Sequence, residues 1–149
     1  MKLEKGIIGI WGKKEQPVKS SSDVLQFKTS IYPIEYTGAY KILGFKDDEI
    51  IKNYSRLSII DKSNNNNFDV LINSVYPYFC GVMVDSFNFI DLPIEIRNYA
   101  DSKFTYLTPE ELNSKFEKND LSELNEAELK AIKYWKPKTF GEIIFNTYD

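Results

Sequence analysis

The sequence closes with an aromatic-rich segment, Tyr134-Trp135-Lys136-Pro137-Lys138-Thr139-Phe140-Gly141-Glu142-Ile143-Ile144-Phe145-Asn146-Thr147-Tyr148-Asp149. Pro137 cannot continue a helix, so it predicts the end of one. Thr139 stands three residues before Glu142, which predicts the capped start of another helix that runs to the last residue. Because large apolar side chains are dense here, we expect Trp135 and this tail helix to close the core.

Two further helix starts precede this segment. Thr108-Pro109-Glu110-Glu111 combines a capping residue, a proline at the first helical position and a glutamate, and predicts a helix to about Lys118. Asn125-Glu126-Ala127-Glu128 predicts the start of the next helix. The apolar stripe of that helix is expected at Leu129, Ile132 and Trp135.

Strand signals dominate the middle of the chain. Tyr78–Val84 is the most continuous apolar run and predicts a buried central strand. Phe87–Ile90 follows after a short polar break, which predicts a hairpin. Phe104–Leu107 is another strand candidate, and Ile94–Tyr99 is expected to form one helical turn.

The N-terminal third mixes strand and loop signals. Gly6–Trp11 is β-branched and aromatic between glycines, and predicts a first strand. Gly12–Ser22 is polar and predicts a loop. Leu25–Ile31 alternates apolar and polar residues, which predicts a half-buried strand ending before Pro33. Glu35–Phe45 is ambiguous and favours extended structure.

The segment before the central strand admits more than one interpretation. Acids at 47–49 followed by apolar residues up to Leu57 predict a helix of about three turns. Leu57–Ile60 instead favours the start of a strand. Asn64–Asn67 predicts an exposed loop, because asparagine favours turns. Asp69–Val75 is expected to form a short helix.

These elements predict an α+β fold. Strands fill the first two thirds and helices the last third, which favours a mostly antiparallel sheet over alternating α/β structure. A chain of 149 residues with 42% hydrophobic content can bury a sizeable core. We therefore expect one globular domain spanning residues 1–149.

Composition excludes several kinds of chemistry. Histidine is absent, which removes the commonest general base and metal ligand and every Ser-His-Asp or Cys-His arrangement. Cys80 is the single cysteine, so no intrachain disulfide can form, and its apolar surroundings predict a buried, unreactive thiol. No zinc site, phosphate-binding loop or cofactor is expected.

Charge and hydropathy indicate a cytoplasmic protein that contacts neither membrane nor nucleic acid. The sequence shows neither a secretory signal nor an apolar run near the roughly 20 residues of a membrane helix. The net charge is −3 and the isoelectric point about 5.1. A nucleic-acid binder needs a clustered basic face, whereas this chain suits a basic partner.

Acidic clusters are the strongest functional signal, because they speed the encounter with a basic partner and set its orientation. The candidate partner-binding residues are Asp47, Asp48, Glu49, Glu110, Glu111, Glu117, Asp120, Glu123 and Glu126. A solvated face with helix caps is the plainer interpretation of the same residues. One alternative is a carboxylate-dependent metal hydrolase using Asp85, Asp91 or Glu128, since hard cations prefer oxygen ligands. Another alternative is an adaptor subunit of a larger assembly.

The C-terminal segment also carries a family resemblance. Ile132–Pro137 and Gly141–Asn146 resemble the C-terminal signature of small bacterial immunity proteins encoded beside polymorphic toxins, including those of contact-dependent growth inhibition. The resemblance implies a protein that binds and neutralises a cognate toxin domain stoichiometrically and is not an enzyme. Nuclease toxins are basic because they hold a phosphate backbone, so an acidic surface suits such a partner.

Overall fold

The computed structural model describes residues 1–46 and 52–147. At its centre lies a six-stranded sheet. Its strands are β1 (Tyr40–Lys46), β2 (Tyr54–Asp61), β3 (Asn66–Asn73), β4 (Tyr78–Met83), β5 (Phe89–Ile90) and β6 (Thr105–Tyr106). The first five lie in chain order as antiparallel neighbours, and β6 pairs parallel with the first half of β4. The mostly antiparallel sheet, with helices towards the C-terminus, confirms the predicted α+β class.

Five α-helices and two 3₁₀-helices surround the described part of this sheet. They are α1 (Val24–Ile31), a 3₁₀-helix (Tyr32–Thr37), α2 (Ile94–Tyr99), α3 (Pro109–Asn113), a second 3₁₀-helix (Lys118–Leu121), α4 (Glu126–Trp135) and α5 (Phe140–Ile144). The single helical turn predicted at Ile94–Tyr99 is confirmed.

The three predicted helix starts in the C-terminal third are confirmed. The side chains of Thr108, Asn125 and Thr139 each accept the backbone N–H of the glutamate three residues later. Two of the predicted lengths are wrong. Helix α3 ends at Asn113, because Ser114 takes an extended conformation, and α5 ends at Ile144 before an extended Phe145.

The β2–β3 hairpin replaces two predicted helices. Tyr54 and Leu57 belong to β2, so the helix proposed through them is wrong, and the alternative strand at Leu57–Ile60 is confirmed. The acids at 47–49 that were to begin that helix lie outside the described residues. The helix predicted at Asp69–Val75 is also wrong, because residues 66–73 form β3. The loop predicted at Asn64–Asn67 is confirmed for its first half, since Asn64 and Asn65 lie in the exposed turn, with Asn65 in the left-handed region at φ 54°, whereas Asn66 and Asn67 begin β3.

The N-terminal strand predictions are wrong as well. Gly6–Trp11 forms turns, in which Gly6 and Gly9 take positive φ values of 92° and 83°. Residues 24–31 form α1, which Asp23 caps by accepting the N–H of Gln26 at 3.0 Å. The ambiguous residues 35–45 divide between the first 3₁₀-helix and β1.

Both faces of the sheet are covered. On the first face, the N-terminal segment, α3 and α5 pack against Leu71, Cys80 and Val82. On the second face, α1, α2 and the 3₁₀-helix between residues 32 and 37 pack against Leu57, Val70 and other apolar residues. The tail lies in the first core as predicted, with its buried residues at Phe140, Ile143, Ile144 and Phe145.

Helix α4 follows the predicted apolar stripe only at Ile132, which packs partly against the first core. Leu129 and Trp135 are each 43% exposed, so neither belongs to the core, while the buried positions are Glu128 and Ala131. The reason is the carboxylate of Glu128, which binds backbone N–H groups beneath the helix and thereby fixes its rotation. The expectation that Trp135 closes the core is therefore wrong.

Candidate partner-binding surface

The segment from Thr108 to Glu126 is rich in acids, most of them exposed, and we call it the acidic flank. It comprises α3, the second 3₁₀-helix and the start of α4. The segment contains six acids and two lysines, whereas the whole chain has a net charge of −3. The flank is thus more negative than the protein as a whole, and the remainder of the chain is close to neutral.

Apolar side chains hold the flank against the sheet. Leu112 and Leu124 are buried in the first core, and Phe116 and Leu121 pack partly against it. These anchors turn the intervening polar residues outward. Among the predicted partner-binding residues, Glu110, Glu111, Glu117, Glu123 and Glu126 are exposed and Asp120 is half-buried. These six lie within residues 108–126 and outside the buried core, and the other three, Asp47, Asp48 and Glu49, lie outside the described residues.

Two flank acids also stabilise local structure. Glu111 accepts the N–H of Thr108 at 3.2 Å, and Asp120 accepts the N–H of Glu117 at 2.8 Å. These hydrogen bonds complete capping boxes at the starts of their helices. The backbone that carries the acids is therefore ordered before any partner binds.

Two of the flank's ion pairs are weak and exposed. Glu123 lies 4.0 Å from the ammonium group of Lys2, and Glu126 lies 3.5 Å from that of Lys130. Exposed pairs of this kind contribute about 0–1 kcal/mol. Replacing these two pairs with cations of a partner therefore costs little free energy.

Glu128, one candidate for a catalytic carboxylate, is fully buried. Its oxygens accept the backbone N–H groups of Gly6 at 2.8 Å, Ile8 at 2.9 Å and Asn125 at 3.1 Å. Burial raises the pKa of Glu128, and the three N–H groups oppose that rise by stabilising the charged form. This carboxylate joins the N-terminal segment to α4.

The other two carboxylate candidates lie near the ends of strands. Asp85 follows β4 and accepts a hydrogen bond from Lys46 at 2.6 Å, and Asp91 follows β5 and accepts one from Tyr106 at 3.3 Å. Within residues 1–46 and 52–147, no group of three or more acidic, cysteine or histidine side chains is arranged to hold a metal ion.

Cys80 has the environment that its sequence context predicted. The thiol is fully buried in β4, and burial raises its pKa well above the ordinary value. A thiol in this state is a poor nucleophile.

Sequence reasoning missed a buried charged network on the first face of the sheet. Asp69 accepts hydrogen bonds from Arg56 and Ser58, both at 2.8 Å, and from Lys46 at 3.2 Å. Burial would raise the pKa of Asp69, but these hydrogen bonds outweigh it and lower the pKa. The only available signal was hairpin register, since Asp69 pairs with Ser58 across the strands.

The chain matches no protein-family model, no curated protein and no solved structure.

The structure also contains two open clefts that were not predicted from the sequence. One, of about 840 Å³, lies at the turn between β2 and β3, and we call it the hairpin-end cleft. The other, of about 570 Å³, lies where α4 turns into α5 and includes Phe87, Trp135 and Phe145 in its lining. Each combines residues from segments distant in the sequence.

No helix in the described part of the chain is long and apolar enough to cross a membrane.

Proposed function

We propose that this protein is an immunity protein, which binds a cognate toxin domain stoichiometrically and neutralises it. The observation that carries this proposal is the acidic flank, whose exposed glutamates stand on a backbone fixed to the core by Leu112 and Leu124. The resemblance of the C-terminal segment to immunity proteins supports the same function.

The flank suits a basic partner, such as a nuclease domain. A concentrated negative surface attracts such a domain over a distance and increases the association rate, particularly at low salt. Because capping boxes order the flank in advance, little conformational entropy is lost on binding. The bound flank would cover or adjoin the cleft that holds the nucleic-acid phosphates and so prevent substrate entry.

The tail serves this function indirectly. From Phe140 to Phe145 its apolar side chains are buried, so this part stabilises the fold and is not itself the proposed binding surface. The resemblance in the tail and the proposed binding surface therefore lie in different parts of the protein.

Binding to the product of the adjacent upstream gene tests the proposal. The two proteins are co-expressed, purified together and tested for protection of cells from the toxin. We expect a stoichiometric complex whose association rate falls steeply as salt is raised. A correctly folded protein that neither binds the neighbouring product nor protects cells would refute the proposal.

A charge-matched pair of variants then tests the flank. Glu110→Gln, Glu123→Gln and Glu126→Gln together remove three charges from exposed positions that lie outside the Glu111 and Asp120 caps. A control makes the same net change at exposed positions on and beside α2, through Glu95→Gln, Asn98→Lys and Ser102→Lys. We expect the flank variant to associate about tenfold more slowly and the control to associate at nearly the wild-type rate.

A further inference from the structure

The hairpin-end cleft has an apolar floor formed by the sheet itself. Phe68 of β3 and Met83 of β4 are cross-strand partners, so their side chains lie together on the second face. Phe68 is buried beneath this surface, whereas Met83 is 52% exposed and the adjacent Val84 is 41% exposed. Because methionine is flexible and polarisable, it can adapt to an incoming apolar side chain.

Carboxylates border this floor at two positions. Asp61 ends β2, and Asp91 directly follows β5. Among the described lining residues, these two acids are the only charged groups. Hydrogen bonds hold each in place, since Asp61 accepts the N–H of Ser63 at 3.0 Å and Asp91 accepts the hydroxyl of Tyr106 at 3.3 Å.

Each carboxylate retains an oxygen for a ligand. The hydrogen bonds from Ser63 and Tyr106 all end on Oδ1 of the two aspartates. The Oδ2 atoms accept no hydrogen bond within the described residues. A cation can therefore bind at either end of the cleft without displacing an existing contact.

We propose that the hairpin-end cleft binds an extended basic segment, with a lysine or arginine at each aspartate and an apolar side chain between them. Charge complementarity selects this occupant, because the cleft presents two negative groups on either side of an exposed apolar floor. It disfavours a second copy of this chain, whose net charge is −3. In the proposed function, on which this assignment of the partner rests, the segment belongs to the toxin domain.

Sheet geometry sets the spacing of the segment. Three interstrand steps separate β2 from β5 and contribute about 14 Å across the strands. The pairing of successive strands places Ile90 level with Leu57 of β2. Asp91 therefore also lies about 13–17 Å along the strands from Asp61, and the two positions are about 20 Å apart. An extended chain advances about 3.3 Å per residue, so cations six residues apart span this distance. Side chains at i, i+2, i+4 and i+6 point to the same side of an extended chain, which directs an apolar side chain at i+2 or i+4 towards Met83.

A short synthetic peptide tests the site without the toxin. The probe is acetyl-Gly-Lys-Ser-Leu-Ser-Leu-Ser-Lys-Gly-amide, with lysines six residues apart, and the control is acetyl-Gly-Leu-Ser-Lys-Ser-Lys-Ser-Leu-Gly-amide, which has the same composition but the wrong spacing. Amide chemical shifts are followed by NMR during titration. We expect changes centred on residues 61–67, 83–84 and 90–93, with at least fivefold tighter binding of the probe.

Paired variants distinguish this cleft from general attraction to an acidic protein. Asp61→Asn with Asp91→Asn should weaken probe binding at least fivefold, whereas Glu123→Gln with Glu126→Gln makes the same change in net charge and should leave it nearly unchanged. Equal binding of the two peptides, shift changes located elsewhere, or equal effects of the two paired variants would overturn the inference.

Binding of the toxin domain itself to the Asp61→Asn, Asp91→Asn double variant is measured separately. We expect Asp61→Asn with Asp91→Asn to weaken toxin binding and the probe to compete with the toxin. A toxin that binds this double variant as tightly as wild type would overturn the cleft's assignment to the toxin and leave the immunity function standing. If no toxin binds wild type while the probe still binds the cleft, the immunity function fails and the basic-segment site stands.

Discussion

Asn53 and Asn73 donate to the same two carbonyl oxygens. The amide nitrogen of Asn53 lies 2.8 Å from the oxygen of Ile7 and 2.9 Å from that of Ile144, and that of Asn73 lies 3.2 and 2.8 Å from them. Ile7 belongs to the N-terminal segment and Ile144 ends α5. Two buried side chains, one directly before β2 and one at the end of β3, thus join both ends of the described chain to the sheet.

We expect Asn73→Ala to lower the free energy of unfolding by at least about 2 kcal/mol, measured by urea denaturation. Leaving a buried polar group unsatisfied costs about 1–3 kcal/mol. Asn73 also accepts the N–H groups of Val75 and Tyr76, both at 2.9 Å, and these would lose their acceptor. Asn98→Ala, at an exposed position on α2, is the control and should change stability by less than about 0.5 kcal/mol.

The shared acceptors make a further result testable. After Asn73→Ala, Asn53 still donates to both carbonyls, so these groups stay satisfied. Replacing both asparagines by alanine leaves the two carbonyls without these donors, and the combined loss should exceed the sum of the single losses. Simple additivity would contradict the shared arrangement.

Glu128→Ala should destabilise the protein by about 3 kcal/mol or more in urea denaturation. The change leaves three N–H groups, including those of Gly6 and Ile8, without their acceptor beneath α4. Hydrogen exchange at Gly6 and Ile8 should accelerate. The control Glu126→Ala lies on the same helix with its side chain 80% exposed and should have little effect. Unchanged protection of the Gly6 and Ile8 amides would contradict this role.

The lowered pKa of Asp69 predicts how the stability of the protein depends on pH. Hydrogen bonds from Arg56, Ser58 and Lys46 overcome the effect of burial and lower its pKa below the ordinary value of 3.8. Its contribution to stability is therefore fully present above pH 3.8 and is lost as the pH falls through the lower folded-state pKa. Asp69→Asn should cost about 3–5 kcal/mol at neutral pH, because Arg56 would remain buried without its carboxylate.

Urea denaturation of wild type and Asp69→Asn across this pH range checks the assignment. The difference between the two proteins should shrink as the pH falls from 3.8 through the lower folded-state pKa, since Asp69 gains its proton first in the unfolded and then in the folded wild type. Asp23→Asn is a suitable control, because asparagine can also accept the N–H of Gln26 at the start of α1. A difference that is constant with pH would show that Asp69 does not titrate as expected.

Local chemistry explains which elements could be predicted from the sequence. Thr108, Asn125 and Thr139 cap helices through atoms only three residues away, so short patterns revealed all three starts. In α1 the buried residues are Phe27 and Ile31, and their spacing of four fits both a helix and an alternating strand. The sequence pattern alone could not distinguish these two periods.

Strands covered on both faces obscured the hairpin. In β2, Leu57 and Ile59 enter the second core, while Arg56 and Ser58 enter the polar network on the other face. The alternation of polar and apolar residues from Arg56 to Ile59 therefore reflects two buried faces. Tyr54 and Leu57 also fit a helical spacing, and the acids at 47–49 favoured the helix over the strand.

The acidic flank could be predicted from the sequence and the hairpin-end cleft could not, because only the cleft depends on residues that are distant along the chain. Exposure of the flank acids followed from nearby helix caps and apolar anchors, which the sequence displays. The site of Glu128 depends on Gly6 and Ile8, which lie 122 and 120 residues away. The hairpin-end cleft joins the turns after β2 and β4, so only the folded sheet brings Asp61 near Met83. Long-range pairing was not visible in the local pattern.

Removal of residues 139–149 should abolish cooperative folding of the whole protein. The deletion takes away Phe140, Ile143, Ile144 and Phe145 from the first core, and with them the carbonyl that Asn53 and Asn73 share. Each large apolar side chain lost from a core costs about 2–5 kcal/mol, so losing four costs about 8–20 kcal/mol, which is comparable to the whole stability of a typical domain, about 5–15 kcal/mol. Thermal unfolding followed by circular dichroism provides the measurement, and an unchanged melting temperature would contradict the prediction.

Two point substitutions that leave the chain length unchanged test whether the tail stabilises the fold through its buried side chains. Phe145→Ala keeps the tail but removes a fully buried ring that contacts Tyr54 at 6.4 Å between ring centroids. It should lower the free energy of unfolding by about 3–5 kcal/mol. Thr147→Ala, two residues later at an exposed position, should have almost no effect. Equal effects of the two substitutions would show that the tail stabilises the fold by something other than burial of its aromatic side chain.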